Sequence, residues 1–162
     1  MERVFFSKDG VFPDHEAYKF RYKTSGFDDT KSGYRLPTDQ EWAFACKANA
    51  STGRSFGSKE DRLPQYAWYS QNADKRIHQV GLLKPNESGL FDMLGNVREV
   101  CLNYYHNELG EKSDMFEWVG GCFDSKPAEL MHEPAEGIRF PRKISISSPA
   151  MGFRLARTYP FQ

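Results

Sequence analysis

The chain of 162 residues has the length of one compact domain, which buries roughly 70% of the surface that its unfolded form exposes. Its 22 basic and 22 acidic residues balance, which argues against a nucleic-acid partner or an acidic membrane surface. Aromatic residues make up 15% of the chain and apolar residues only 39%. We therefore expect a core of few, large side chains and much of the chain in loops.

The three cysteines, Cys46, Cys101 and Cys122, cannot all pair with one another and show no CxxC spacing. Free thiols in a reducing compartment are the simpler interpretation, with one disulfide and one free thiol as the alternative. Residues 1–10 are too polar for a signal peptide, unless the sequence is a piece of a longer chain. No apolar run approaches the roughly 20 residues of a membrane span. These features predict a cytoplasmic protein.

In chain order, residues 1–33 are interpreted as irregular, with one short helix near 15–23. Thr38 and Glu41 then form an S/T-x-x-E capping box, which predicts a helix over about 39–48. Trp42, Ala45 and Cys46 lie on one face of that helix. Gly, Ser and charged residues over 49–64 predict a surface loop.

The second half of the chain is typical of short strands joined by loops. We predict an extended segment at 66–71, a strand at 100–105 and a polar, mobile loop at 106–116. A strand is then expected at 117–123, ending in a Gly120–Gly121 turn. Prolines predict irregular structure at 124–137 and 139–149. A strand is predicted at 151–159.

Several blocks in a fixed order resemble one known family. They are "GYRLPTDQEWAFACKA", "RSFG", the long stretch from "YAWYSQN" to "LGNVREV", "VGGCF" and "MGFRLART". Together they resemble the formylglycine-generating-enzyme (sulfatase-modifying-factor) domain, above all its short bacterial members, over about residues 33–157. The resemblance implies an α+β, loop-rich variant of the C-type-lectin-like fold, with a small twisted antiparallel sheet and one or two helices. It implies one domain over 1–162, in which 1–32 is a divergent or truncated N-terminal segment.

The resemblance also implies one calcium site in the segment 94–99. Its ligands would be the side chains of Asn96 and Glu99 and the main-chain carbonyls of Leu94, Gly95 and Val97, since calcium prefers hard oxygen ligands. The alternative is a tight turn that needs Gly95 and Asn96 for their backbone angles. The family usually has Trp-Glu-Trp where this chain has Arg98-Glu99-Val100. The insert that holds a second family calcium is absent, so we expect no second ion.

Copper and iron are argued against by the same comparison. Family members that form formylglycine hold copper with two cysteines, at positions that match Ser125 and Leu130 here. Cys122 occupies the usual position of a serine and is the best candidate for a catalytic thiol, but a lone thiol does not reproduce a two-thiolate site. Cys46 and Cys101 are expected to be buried and inert. We therefore predict no catalytic residue.

The histidines and arginines are expected to be structural. A second branch of the superfamily binds iron through three histidines, but the four histidines of this chain are dispersed. Arginines in a loop-rich fold tie the irregular backbone with their five donors. The residues concerned are His15, His78, His106 and His132, and Arg35, Arg139 and Arg154.

Two functions from different classes remain open. One is a non-catalytic binding or regulatory module, whose loops 104–117 and 123–150 recognise a protein partner or an adjacent domain. The other is a metal-dependent oxidase or oxygenase that uses Cys122 together with His132. A third possibility is that the chain is one piece of a split or larger polypeptide.

Overall fold

The structure, a computed structural model, describes residues 3–4, 33–106, 112–131, 138–139 and 150–158, with side chains over 33–102, 116–131 and 150–157. The helix expected near 15–23 lies outside these residues. The elements in chain order are β1 (Arg3–Val4), β2 (Gly33–Arg35), α1 (Asp39–Lys47), a 3-10 helix (Glu60–Gln65), β3 (Ala67–Trp68), β4 (Leu94–Gly95), β5 (Arg98–His106), β6 (Lys112–Val119), α2 (Pro127–Leu130), β7 (Ile138–Arg139), β8 (Met151–Arg154) and β9 (Ala156–Thr158).

Helix α1 forms where the capping box predicted it. The Glu41 amide donates to Thr38 Oγ1 at 3.2 Å, and the Thr38 amide donates to the Glu41 carboxylate at 2.9 Å. Together these bonds satisfy two amides that the first turn would otherwise leave without partners. The helix ends at Lys47 because Ala48 adopts a left-handed conformation with φ of 50°. Its buried face carries Trp42, Ala43 and Cys46.

The largest sheet of the described residues has five strands in the order β1-β8-β5-β6-β7. Strands β5 and β6 pair antiparallel from Glu99 opposite Val119 to His106 opposite Lys112. The loop predicted over 106–116 is therefore wrong for 112–116, which belong to β6. Its polar sequence does not prevent pairing, because the ladder bonds join backbone groups.

Three further differences from the predicted elements concern the C-terminal part. Strand β8 runs parallel to β5, so the sheet is mixed rather than purely antiparallel. The single strand expected at 151–159 is divided into β8 and β9, and β9 leaves the large sheet to pair with β2. Within 124–137, predicted as irregular, the four residues of α2 form a short helix.

The core lies between α1, the loops that follow it and the sheet. No helix of the described residues is long and apolar enough to cross a membrane. The small number of helices and the short strands agree with the predicted loop-rich α+β class. The buried cluster consists of Trp42, Cys46, Phe56, Leu63, Ala67, Tyr69, Met93, Leu94, Cys101, Val119 and Leu130.

Candidate functional site

The segment 94–99, expected to bind calcium, is a turn that crosses the core. Gly95 and Asn96 have positive φ of 72° and 60°. A Cβ on Gly95 would lie 2.1 Å from the carbonyl oxygen of Trp68, so the close approach of the two backbones requires glycine. The Asn96 amide donates to that same oxygen at 2.7 Å, and the Gly95 amide donates to the carbonyl of Gly120 at 2.7 Å. These bonds join the turn to β3 and to the Gly120–Gly121 turn.

The side chain of Asn96 is fully buried and holds a neighbouring loop. Its Oδ1 accepts from the amide of His78 at 2.9 Å, and its Nδ2 donates to the carbonyl of the same residue at 3.0 Å. Asp92 acts in a similar way, since its Oδ2 accepts from the amide of Gly81 at 2.9 Å. The buried side chains of Asn96 and Asp92 therefore hold the backbone of the loop at His78 and at Gly81.

Glu99 forms a buried ion pair with Arg154, in which each residue is 1% exposed. Arg154 donates from Nη2 to Glu99 Oε1 at 2.8 Å and from Nε to Oε2. The indole Nε1 of Trp42 also donates to Oε2, at 2.7 Å. Arg154 Nη2 reaches the carbonyl of Phe91 at 3.3 Å. The carboxylate thus connects α1, β5 and β8 with the loop that precedes β4.

These contacts bear on the calcium site implied by the family. Both side chains predicted as ligands already accept hydrogen bonds from the protein: Asn96 Oδ1 from His78, and Glu99 from Arg154 and Trp42. A calcium ion at Glu99 would face the guanidinium of Arg154, a like charge in a poorly solvated region. In this arrangement the two side chains do not fit the ion, and calcium binding requires Arg154 to move.

The main-chain carbonyls of Leu94, Gly95 and Val97 remain the other predicted ligands. Within the described part of the chain, no three His, Cys, Asp or Glu side chains are grouped so that they could hold a metal. Calcium at this turn therefore stays an untested prediction of the resemblance, and the pairing of Glu99 with Arg154 argues against it.

Cys122 lies directly after the Gly120–Gly121 turn and is buried. Its thiol donates to Asp124 Oδ1 at 2.8 Å, and its amide donates to Ser125 Oγ at 3.2 Å. Burial raises the pKa of the Cys122 thiol, and its hydrogen bond to Asp124 raises it further. Because the thiolate is the reactive form, these surroundings make Cys122 a poor nucleophile.

The other two cysteines are buried and free, as predicted. Burial raises the pKa of Cys46 to about 12, and burial together with nearby Glu99 raises the pKa of Cys101. Ser125 and Leu130, near which the resemblance places the family's copper cysteines, are both buried. They lie beside Gly121, whose added Cβ would be 2.2 Å from Leu130 and 3.1 Å from Ser125 Oγ. Packing fills this part of the structure.

Three basic residues singled out in the sequence, Arg35, His78 and Arg154, make contacts within the protein. Arg35 makes two bonds of 2.6 Å to the carboxylate of Glu41. The ring of His78 stacks on Trp68 with centroids 3.9 Å apart, and its Nε2 lies 2.9 Å from the carbonyl oxygen of Ala73. With the Arg154 ion pair, these contacts confirm the structural role predicted for three residues. The side chains of His15, His106, His132 and Arg139 lie outside the described part.

Sequence reasoning missed two contributors to this region. Arg54, 5% exposed, donates from Nε to the carbonyl of Leu130 at 2.8 Å and so ties the loop after α1 to α2. The stack of Trp68 on His78 was also missed. Arg54 lies in the "RSFG" block, but nothing in that block indicates its partner 76 residues away.

A surface depression lined by Arg54, Phe56, Tyr66 and Lys84, among others, has a free volume of about 10 Å³. That is about the room one water molecule needs. This depression therefore has no space for a cofactor or a small-molecule substrate.

The fold and the Gly120–Gly121 turn define a class, the C-type-lectin-like proteins of formylglycine-generating-enzyme type. The profile of the Sulfatase-modifying factor enzyme 1-like domain matches residues 11–159. The chain belongs to this family, which confirms the resemblance inferred from the sequence blocks.

Individual relatives are longer than this chain. Chaperone protein LppX from Paenibacillus barcinonensis is 28% identical over 172 aligned positions, which span 93% of this chain and 59% of the relative. The solved structure of Treponema denticola variable protein 1 has a TM-score of 0.68 and 29% identity over 82% of this chain and 50% of its own. The structure of CarF has a TM-score of 0.50 and 28% identity over 79% of this chain and 49% of its own. The chain thus spans about half to three fifths of their lengths.

Proposed function

We propose that the chain is a non-catalytic binding module that recognises another protein, or a neighbouring domain, through its exposed loops. The observation that carries the proposal is the chemistry of Cys122. The best candidate for a catalytic thiol is buried, donates to Asp124 at 2.8 Å and has a raised pKa. A thiol held in its protonated form contributes to the stability of the turn and not to oxidation chemistry.

The hydrogen bonds of Glu99 and Asn96 support the same proposal. An enzyme keeps its polar groups pointed at a reacting substrate, whereas these two side chains are directed at protein donors in the core. They preserve the frame of the fold and leave its surface loops free to vary. The name of LppX, a chaperone protein, is also in line with binding to other polypeptides.

Three further properties belong to the proposal. The free, buried thiols support a reducing, cytoplasmic location. The balanced charge supports a protein partner over nucleic acid or a membrane surface. Of the two recognition loops proposed from the sequence, 104–117 overlaps strands β5 and β6. The other, 123–150, lies largely outside the residues whose side chains are described.

The competing enzyme hypothesis is tested with the purified chain. The chain is incubated with copper or with iron, oxygen and a cysteine-containing peptide, and the peptide is followed by mass spectrometry. We expect no change in peptide mass, and we expect Cys122→Ser to behave like the native chain. Oxidation of the peptide cysteine that Cys122→Ser abolishes would refute the proposal.

The binding function itself is tested by light scattering. A chemically denatured test protein is diluted into buffer with the chain at equal concentration or without it. We expect the chain to reduce aggregation, and Cys122→Ser to reduce it equally, because the thiol lies in the interior. Aggregation that is unchanged at every ratio would count against a binding role of the chaperone kind.

A further inference from the structure

Most of the exposed apolar side chains of the described residues lie in one part of the molecule. The large apolar residues with high exposure are Tyr34, Phe44, Ile77, Leu82 and Phe91. Ile77, Leu82 and Phe91, at 42%, 59% and 39% exposure, belong to two neighbouring loops. Tyr34 lies on β2, where the guanidinium of Arg157 covers its ring at 5.5 Å, and Phe44 lies on α1. We call the surface formed by Ile77, Leu82 and Phe91 the 77–91 surface.

The two loops of the 77–91 surface are joined by buried hydrogen bonds. Asn96 binds both backbone groups of His78, next to Ile77, and Asp92 binds the amide of Gly81, next to Leu82. Arg154, held by Glu99, binds the carbonyl of Phe91. Each exposed apolar residue therefore lies on, or directly beside, a backbone group that a buried side chain fixes.

This arrangement is favourable for recognition. A surface that is already ordered loses little conformational entropy when a partner binds. Exposed apolar side chains on a fixed backbone then contribute their burial to the affinity. The buried side chains of Asn96, Asp92 and Arg154 thus support an exposed surface that is apolar and rigid.

Basic residues surround the apolar ones. Lys75, Arg76 and Lys84 are exposed, and Asp74 and Glu87 are the exposed acids between residues 74 and 91. Lys84 Nζ donates to Gln65 Oε1 at 2.7 Å, a neutral partner that leaves its charge in place. Three bases and two acids give residues 74–91 a local charge of +1 at pH 7 with neutral His78, although the whole chain is neutral.

We propose that the 77–91 surface is a docking site for a partner polypeptide segment that carries both apolar side chains and carboxylates. The apolar side chains of the segment cover Ile77, Leu82 and Phe91, and its carboxylates pair with Lys75, Arg76 and Lys84. This proposal rests on the proposed binding function and names the surface and the chemistry of its partner. Charge complementarity of this kind steers association and selects among partners.

The proposal is tested on the full chain with a displayed library of random short peptides. We expect selection to enrich peptides that combine Leu, Phe or Ile with Asp or Glu. Binding of a labelled enriched peptide is then measured by fluorescence polarisation. Leu82→Ser should weaken binding at least about fivefold, whereas Phe44→Ser, a matched exposed apolar residue on α1, should leave it within about twofold.

A second variant tests the charges without altering the apolar contact. Arg76→Glu should weaken binding by about fivefold and should reduce the dependence of the dissociation constant on salt. Because Arg76 and Leu82 are exposed, circular dichroism should show both variants folded. If Leu82→Ser does not fold, the binding of the peptide to Arg76→Glu still tests the proposal.

Several results would overturn the docking site. Enriched peptides that bind Leu82→Ser and Arg76→Glu as tightly as the native chain would place the recognition surface elsewhere and leave the proposed binding function intact. Enrichment of basic peptides, or of none, would refute the partner chemistry. Self-association in analytical ultracentrifugation that Leu82→Ser abolishes would assign the surface to a second copy of the chain. Peptide oxidation dependent on Cys122, or a failure of the chain to reduce aggregation at any ratio, would instead count against the proposed function itself.

Discussion

Replacing Glu99 by Gln tests whether the carboxylate of the family motif is an element of the core. The substitution keeps the size of the side chain and an oxygen that can accept from Trp42 Nε1. It removes the negative charge opposite Arg154, whose side chain is 2% exposed. An uncompensated guanidinium then stays buried in a region that water cannot reach.

Breaking a buried pair by removing one partner costs about 3–5 kcal/mol. Arg154 keeps its bonds to the carbonyls of Phe91 and Asp92, so we expect the lower value, about 3 kcal/mol. For a domain of this size that corresponds to a fall in melting temperature of roughly 6–12 °C. It is a large share of a total stability of about 5–15 kcal/mol.

The control is the same substitution in a more exposed ion pair. Glu41 pairs with Arg35 at 2.6 Å, but the side chains of Arg35 and Glu41 are 19% and 41% exposed. Glu41→Gln also preserves the capping box. Solvent screening therefore limits its cost to less than about 1 kcal/mol.

Urea denaturation, followed by tryptophan fluorescence, measures both free energies of unfolding. The double substitution Glu99→Leu with Arg154→Met should be less destabilising than Glu99→Gln alone, since it leaves no unpaired charge. If Glu99→Gln costs no more than Glu41→Gln, the buried ion pair does not support the core and the reasoning is wrong.

Three other predictions follow from the same structure. Gly95→Ala should lower the free energy of unfolding by about 3 kcal/mol or more, because its Cβ would clash with Trp68 O. Gly89 has a similar φ and open space around it, so Gly89→Ala should cost only about 1–2 kcal/mol. Equal costs of the two substitutions in urea denaturation would contradict the close approach at Gly95. Burial raises the pKa of Cys46 from 9.0 to about 12, so the unfolded thiol loses its proton first and stability falls as pH rises across this interval. Cys46→Ala should show a shallower fall in chemical denaturation above pH 9, and parallel curves would refute that assignment. Since Glu99 is paired with Arg154, neither calcium nor a chelator should change the melting temperature. A rise in melting temperature with calcium that Asn96→Ala removes would instead support calcium binding at the turn.

The elements that could be predicted were those with local causes. The capping box of α1 depends on residues three positions apart, so its hydrogen bonds follow from the sequence directly. The first part of strand β6, residues 112–116, was missed because its pairing with β5 is made between backbone groups and leaves little trace in a polar sequence.

The same distinction holds at the candidate site. The five sequence blocks, taken together in their order, were sufficient to recognise the family, and the need for glycine at a tight turn could be anticipated. The role of Glu99 in a buried ion pair could not be anticipated, because its partners Arg154 and Trp42 lie 55 and 57 residues away. A carboxylate suits calcium and arginine equally well, and only the folded neighbourhood selects between them.

The sequence by itself determined the family and helix α1, because both follow from residue types at short or fixed spacing. Tertiary structure decided which charge faces Glu99, which loop Asn96 holds and where the exposed apolar side chains gather. Those outcomes depend on distances between segments remote in the chain, and such distances exist only once the core has formed.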